Sequence, residues 1–245
     1  MNIIFSPAKK MKEDNDDLEI KGLPFFLDKS KIILDHLRSL SKEELQKAWN
    51  CNDKIAQLNY QRIMNMDLTK GLSPAIFSYE GLAYEYLAPG VFEDRMFSYI
   101  QKHLYILSAF YGAVRPFDGI VPYRLEMNTK VKINGYDDMY AFWGDDLYKK
   151  IRDDSGIIVN LASKEYSKCI EDYISKDDRF INIVFLQKDG SNKGTYAKMA
   201  RGEMLRYMAE KEIEDPQELM KFDCLKYAYN HALSSDNNYV FCKEQ

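Results

Sequence analysis

A chain of 245 residues with 46% hydrophobic content carries material for one large core, and no apolar run reaches the roughly 18 residues that a membrane-spanning helix requires. Its formal net charge of −4, from 34 Lys and Arg against 38 Asp and Glu, argues against a surface that is basic throughout, the usual mark of a dedicated polyanion binder. Cys51, Cys169, Cys224 and Cys242 are widely separated and His36, His103 and His231 share no spacing, which removes a disulfide framework, a zinc motif and a histidine-based triad from consideration. The expectation is one domain over residues 1–245, cytoplasmic and monomeric, without a secretory leader, with reduced thiols and with neither metal nor cofactor.

The opening Asn2-Ile3-Ile4-Phe5 reads as a short buried strand, followed by the polar turn Ser6-Pro7-Ala8-Lys9-Lys10. The acidic stretch KEDNDD at 12–17 reads as a solvated loop, as does EIEDPQE at 212–218. A helix is expected over 28–40 with Ile32, Ile33, Leu34 and Leu37 on its apolar side. A second begins at Ser41, whose Ser-x-x-Glu pattern with Glu44 is a capping box, and a third covers 52–66 with Ile55, Leu58, Tyr60, Ile63 and Met64 inward. PAIFSY at 74–79 reads as a strand, Glu93 to Leu107 as a helix and the Gly- and Pro-punctuated segment 109–127 as an ordered loop. TKVKI at 129–133 predicts a strand and Asp138 to Ile151 a helix. Strands follow at GIIVNLAS (156–163) and FINIVFLQ (180–187), each with a helix after it, the second over Tyr196 to Lys211. YVFCK at 239–243 predicts a last edge strand. Strands and helices intersperse without strict alternation, so the fold class is mixed α/β with a mixed central sheet surrounded by helices.

Two strand ends carry chemistry. Ser6 and Lys9 follow the first strand, and the strand at 156–163 runs into Asn160, Ser163, Lys164 and Tyr166 at the start of a helix. The carboxyl ends of buried strands open into ligand crevices, and a helix start offers free N–H groups to an anion. On the helix from Tyr196, Lys198 and Arg201 border the apolar side, their stems packing and their charges free to enter a cleft, and Gly202 allows a close backbone approach. The segment around Tyr111, Arg115, Asp118, Tyr123, Arg124 and Glu126 is the densest group of Tyr, Arg and carboxylates, suited to stacking and phosphate contact or to structural ion pairs. A helix through LSAFYGAV (107–114) into a Gly-containing turn is the candidate for a helix-hairpin-helix element. No Walker motif, GxSxG elbow, dinucleotide-binding glycine pattern or HExxH occurs.

SPAK at 6–9, NDKIA at 52–56, Leu107-Ser108 with Tyr111-Gly112, RPFD at 115–118, PYRLEM at 122–127, FWGD at 142–145, VNLAS at 159–163 with Tyr166, and Tyr196-Ala197-Lys198 with Ala200-Arg201-Gly202 together resemble, in order, the YaaA peroxide stress resistance family. The resemblance covers almost the whole chain. It implies a cytoplasmic bacterial protein of hydrogen peroxide survival, acting through lower unincorporated iron and less oxidative DNA damage. It also implies DNA binding by a mixed α/β fold with a helix-hairpin-helix element and a positive cleft. Carried to this sequence, the cleft draws on Ser6, Lys9, Lys54, Arg115, Arg124, Lys198 and Arg201. The chain departs from the pattern at Lys10, where relatives have Thr, which adds local charge, and in the tail from Cys224 to Asn238.

Two functions follow. The first is a DNA binder, for duplex or branched DNA without sequence preference, whose cleft holds phosphates. The second is an enzyme on a nucleobase, nucleotide or similar small anion, with Lys9 or Lys198 as electrostatic stabiliser and Glu126, Asp118 or Asp53 as acid or base.

Overall fold

The computed structural model describes residues 1–13 and 19–244, so most of the acidic segment 12–17 lies outside the described residues. Seven strands form the main sheet: β1 (Asn2–Phe5), β2 (Leu104–Ser108), β3 (Gly112–Val114), β4 (Ile157–Leu161), β5 (Arg179–Leu186), β6 (Tyr227–Tyr229) and β7 (Asn238–Lys243). Their order is β6-β7-β5-β4-β1-β2-β3, with the five central strands parallel and the two edge strands antiparallel. The class is mixed α/β. β1 lies between β2 and β4 and is buried along its whole length, which is why its sequence is a continuous apolar run rather than an alternating one.

Helices α1 (Leu27–Ser39), α2 (Lys42–Trp49) and α3 (Asp53–Asn65) follow the first strand. Both bonds of the capping box form at α2: Ser41 Oγ accepts from the Glu44 N–H, and the Glu44 carboxylate accepts from the Ser41 N–H. The inward faces differ from those expected. Ile32, Ile55 and Leu58 are exposed, while Ser30 and Asn59 are buried, each with its side chain donating to a carbonyl, Phe110 O and Ile55 O respectively.

Tertiary pairing overrides local periodicity in several places. The helix expected over 93–107 stops early: α4 (Leu82–Leu87) is followed by α5 (Asp94–His103), and the chain then straightens into β2, whose Leu104 pairs with Ile3. The His103 ring meets the Met1 carbonyl at 2.7 Å and anchors that exit. β2 and β3 form a β-hairpin around Gly112 (φ +80°), so the helix-hairpin-helix reading of this segment is corrected. A Cβ at Gly112 would meet the Phe26 and Trp143 rings at 2.9 Å. Residues 75–78 form one helical turn instead of a strand, because the N–H groups of Ala75 and Ile76 bond to Asp118 O and Pro116 O rather than to a ladder. TKVKI is not a strand; only an isolated bridge between Ile133 and Tyr136 forms there. The helix expected over 138–151 divides at Gly144 (φ +52°) into Met139–Trp143 and Asp146–Ile151. Finally, YVFCK lies inside β7, and the edge is β6, in a tail read as irregular.

The sheet's connections position the site. From β1 the chain travels through the early helices to β2 on one side, whereas from β4 it passes through α6 (Lys164–Glu171) to β5 on the other. Where successive connections diverge in this way, the carboxyl ends of adjacent parallel strands part and leave a crevice. Helix α7 (Gly194–Lys211) packs across α4 so closely that a Cβ on Gly202 would lie 2.0 Å from the Ala83 carbonyl oxygen.

Candidate functional site

A crevice of about 460 Å³ opens at the carboxyl ends of β1 and β4, walled by the start of α4 and by α7. Ser6 Oγ accepts the Ser163 N–H at 2.8 Å, stitching the two strand ends together, and the Tyr84 hydroxyl donates to the Ser6 carbonyl at 3.0 Å. Phe5, Leu161, Tyr84 and Tyr166 supply an apolar floor. Ser163 occupies the N-cap position of α6, yet its side chain caps nothing. Its hydroxyl lies 3.3 Å from that of Ser6 instead.

The charges are unevenly paired. Lys9 Nζ lies 2.5 Å from Glu126 Oε2, and Arg124 reaches Glu126 Oε1 at 3.4 Å. Lys10, the added cation, pairs with Glu80 at 3.0 Å, so its charge is locally offset. Lys198 and Arg201, three apart on α7, have no carboxylate within ion-pair reach among the described residues. Arg201 Nε is buried without a hydrogen-bond partner there, and burial pulls the guanidinium's pKa down. An unpaired, half-buried guanidinium is costly for the fold alone and suits an incoming anion.

Glu165, unremarked in the sequence, also lines the crevice. Burial, and secondarily the neighbouring Glu126, raise its carboxyl above the usual range, although it accepts the Asn128 N–H at 3.3 Å. Its only sequence signal was its place in the first turn after Ser163. Tyr84 had none, since α4 is held at the site by contacts distant in the chain, the crossing with α7 and the pairing of Tyr79–Glu80 with Lys10–Met11.

The other sequence candidates lie elsewhere. Asn160 is buried in the turn ending β4, accepting the Ala162 N–H and donating to Asn182 Oδ1, both at 2.8 Å. Tyr123 shares a buried hydroxyl chain with Ser108 (2.7 Å) and Tyr79 (3.1 Å), and the Tyr111 hydroxyl accepts the Val121 N–H. Arg115 donates to the carbonyls of Leu104 and Gln101 and stacks 4.3 Å from the Tyr105 ring centroid, a structural role. Arg124 sits behind Glu126, its Nε buried and unpartnered. Lys54 is exposed at the start of α3, away from the crevice lining, beside Asp53, which pairs with Lys42 at 2.9 Å. Cys169 is a buried thiol pushed up to about 12 by desolvation, which disfavours the thiolate a nucleophile needs.

Asp118 does not pair with the Arg115 side chain; it accepts the Arg115 backbone N–H at 2.9 Å, and burial pushes its carboxyl up to about 6. A carboxyl whose pKa is higher folded than unfolded favours the fold when protonated, and that stabilisation is lost as pH rises from about 4 through about 6. Asp118→Asn, which keeps an acceptor, is therefore expected to flatten this part of the stability profile and to gain on wild type by roughly 2 kcal/mol between pH 4 and pH 7. Denaturant titrations of both proteins across that range check it; parallel profiles would contradict it.

Among the described residues no group of three or more His, Cys, Asp or Glu side chains is placed to hold a metal ion, and no helix is long and apolar enough to cross a membrane.

The fold and site define a mixed α/β protein with a crevice at diverging parallel strands, apolar at its floor and lined by two cations that have no carboxylate partner among the described residues. Residues 1–233 match the family described as "Peroxide stress protein YaaA". The chain is 54% identical over 244 residues to a UPF0246 protein of Agathobacter rectalis, covering 98% of each chain. It is 51% identical to one of Lachnoclostridium phytofermentans over 99% of this chain and 96% of the relative, and 45% identical to one of Pediococcus pentosaceus over 100% and 99%. The chain belongs to the peroxide stress protein YaaA family.

Proposed function

We propose that this peroxide stress family member binds DNA without sequence preference through the crevice and its rim, and thereby limits iron-dependent oxidative damage. The observation that carries this reading is the pair Lys198 and Arg201, which face a concave surface without a carboxylate partner among the described residues. Phosphates supply the missing anions, with Arg201 partly buried on α7 and Lys198 exposed beside it. Protein bound to phosphates releases the cations condensed on DNA, ferrous iron among them, which links binding to protection. A net charge of −4 confines the attraction to this local patch. Anisotropy titrations against duplex and branched DNA over a salt series test the reading: affinity should fall steeply with salt, and an interaction indifferent to salt would exclude it.

A second reading, an enzyme on a small anionic nucleotide, is favoured by one observation. Glu126 and Glu165 share the crevice with Lys9, carboxylates that phosphate holding does not require. Turnover of a nucleotide with a defined pH optimum would select it.

A further inference from the structure

The crevice is too small for a duplex and too apolar for a bare phosphate. Its volume of about 460 Å³ falls in the range that holds one small organic ligand, while B-form DNA reads as a rod several times wider than such an opening. Its floor is aromatic and aliphatic, from Phe5, Tyr84, Leu161 and Tyr166. One wall carries Lys198 and Arg201, which have no carboxylate partner among the described residues, and the lining also contains Glu126, whose oxygens meet Lys9 and Arg124, and Glu165, which accepts the Asn128 N–H, each oxygen keeping a further lone pair. A ligand matching all three features has an anionic end, a flat apolar body and an N–H-bearing edge. A neighbouring groove of about 680 Å³ shares Lys9 and Glu126 with the crevice and adds the exposed Lys47 and Lys130, giving a path for a backbone that leaves it.

Resting on the DNA reading above, we infer that the crevice receives a single extrahelical nucleotide of a bound DNA strand. Its phosphate lies against Lys198 and Arg201, its ring on the apolar floor, and its pairing edge toward the two glutamates. At this one position the carboxylate lone pairs left over from those contacts select bases that present N–H donors, guanine foremost because it offers two adjacent ones, while the rest of the strand is held without sequence preference. Thymine, with one N–H between two carbonyl oxygens, is disfavoured. Extrusion is cheapest where a base is already mismatched or unpaired, so such sites are bound in preference to perfect duplex.

The test uses the full chain with duplexes carrying one guanine, either paired with cytosine or in an unpaired bulge, beside a 2-aminopurine that reports its unstacking, and with free mononucleotides as competitors. The expected result is a several-fold change in 2-aminopurine emission for the bulge only, reversed by millimolar deoxyguanosine monophosphate at lower concentration than by thymidine monophosphate, and absent in Arg201→Met. DNA binding with no emission change and no nucleotide competition overturns the inference and leaves the DNA reading standing. Competition by inorganic phosphate equal to that of every nucleotide also overturns it, since only an anion is then recognised. Mononucleotide binding by a protein that binds no DNA overturns both. Glu126→Gln provides a second readout that needs no loss of fold: the preference for deoxyguanosine over thymidine monophosphate should shrink by about tenfold, the order of one charge-assisted hydrogen bond, and an unchanged preference counts against the proposed orientation.

Discussion

Arg201→Met is expected to raise the melting temperature while removing most of the DNA binding. The guanidinium contributes little to the fold: its Nε is buried with no partner among the described residues, and burial lowers its pKa because the charged form is poorly solvated. Methionine keeps most of the stem's volume and relieves the uncompensated charge, for a gain of roughly 1 kcal/mol, or about 2–4 °C in a chain of this size. Binding moves the other way. Losing one phosphate contact should lower the salt slope by about 1 and the affinity by about tenfold, and adding Lys198→Ala should double the slope change. Opposed signs in stability and affinity are the signature of a residue kept for a ligand. Differential scanning fluorimetry beside anisotropy checks both, and a drop of several degrees in Arg201→Met would falsify the ligand role by showing the guanidinium to be structural.

The larger effect on folding belongs to Gly202→Ala. On helical propensity alone this substitution in the middle of α7 should stabilise by about 1 kcal/mol. The close crossing reverses the sign. The added Cβ would sit 2.0 Å from the Ala83 carbonyl oxygen and 3.0 Å from the Leu87 nitrogen, backbone atoms of α4 that cannot rotate away. Helix α7 must then lift from α4, at a net cost of about 3 kcal/mol, seen as a fall of about 6–12 °C. Lys198 and Arg201 ride on α7 and Tyr84 on α4, so DNA affinity should fall even at temperatures where the protein remains folded. A stabilised Gly202→Ala protein would mean that the two helices do not meet in this way.

What the sequence by itself determined was local or periodic. The apolar runs of β1 and β4 identified central strands, because a strand buried on both faces has no polar alternation to obscure it, and β5 was legible from its branched and aromatic residues although one of its faces is only half-buried. Ser41 with Glu44 located the start of α2, since a capping box is closed within four residues. Ser6, Lys9, Lys198 and Arg201 were legible because residues after a buried strand, or on the border of an apolar helix face, have few places to go except a crevice. The motifs also sufficed to point to the family.

What only the tertiary structure decided depended on partners distant in the chain. Leu104 to Ser108 carries a helical pattern continuous with α5, and only pairing with β1, about a hundred residues earlier, makes it a strand. The tail strands β6 and β7 exist through pairing with β5 and with each other. In the site, the sequence placed Arg115, Tyr111 and Tyr123 beside the chemistry because they are rich in it, but carbonyls of α5 and β2 claim Arg115, the Val121 N–H claims the Tyr111 hydroxyl and a buried hydroxyl chain claims Tyr123. Glu165 and Tyr84 entered the crevice for the opposite reason: neither stands out locally, and each is carried there by the element it belongs to. Which cations remain unpaired was likewise invisible, because Lys9, Lys10, Lys198 and Arg201 look alike in one dimension. The fold brings Glu126 and Glu80 to the first two and no described carboxylate to the others, and that difference leaves positive charge on one wall of the crevice.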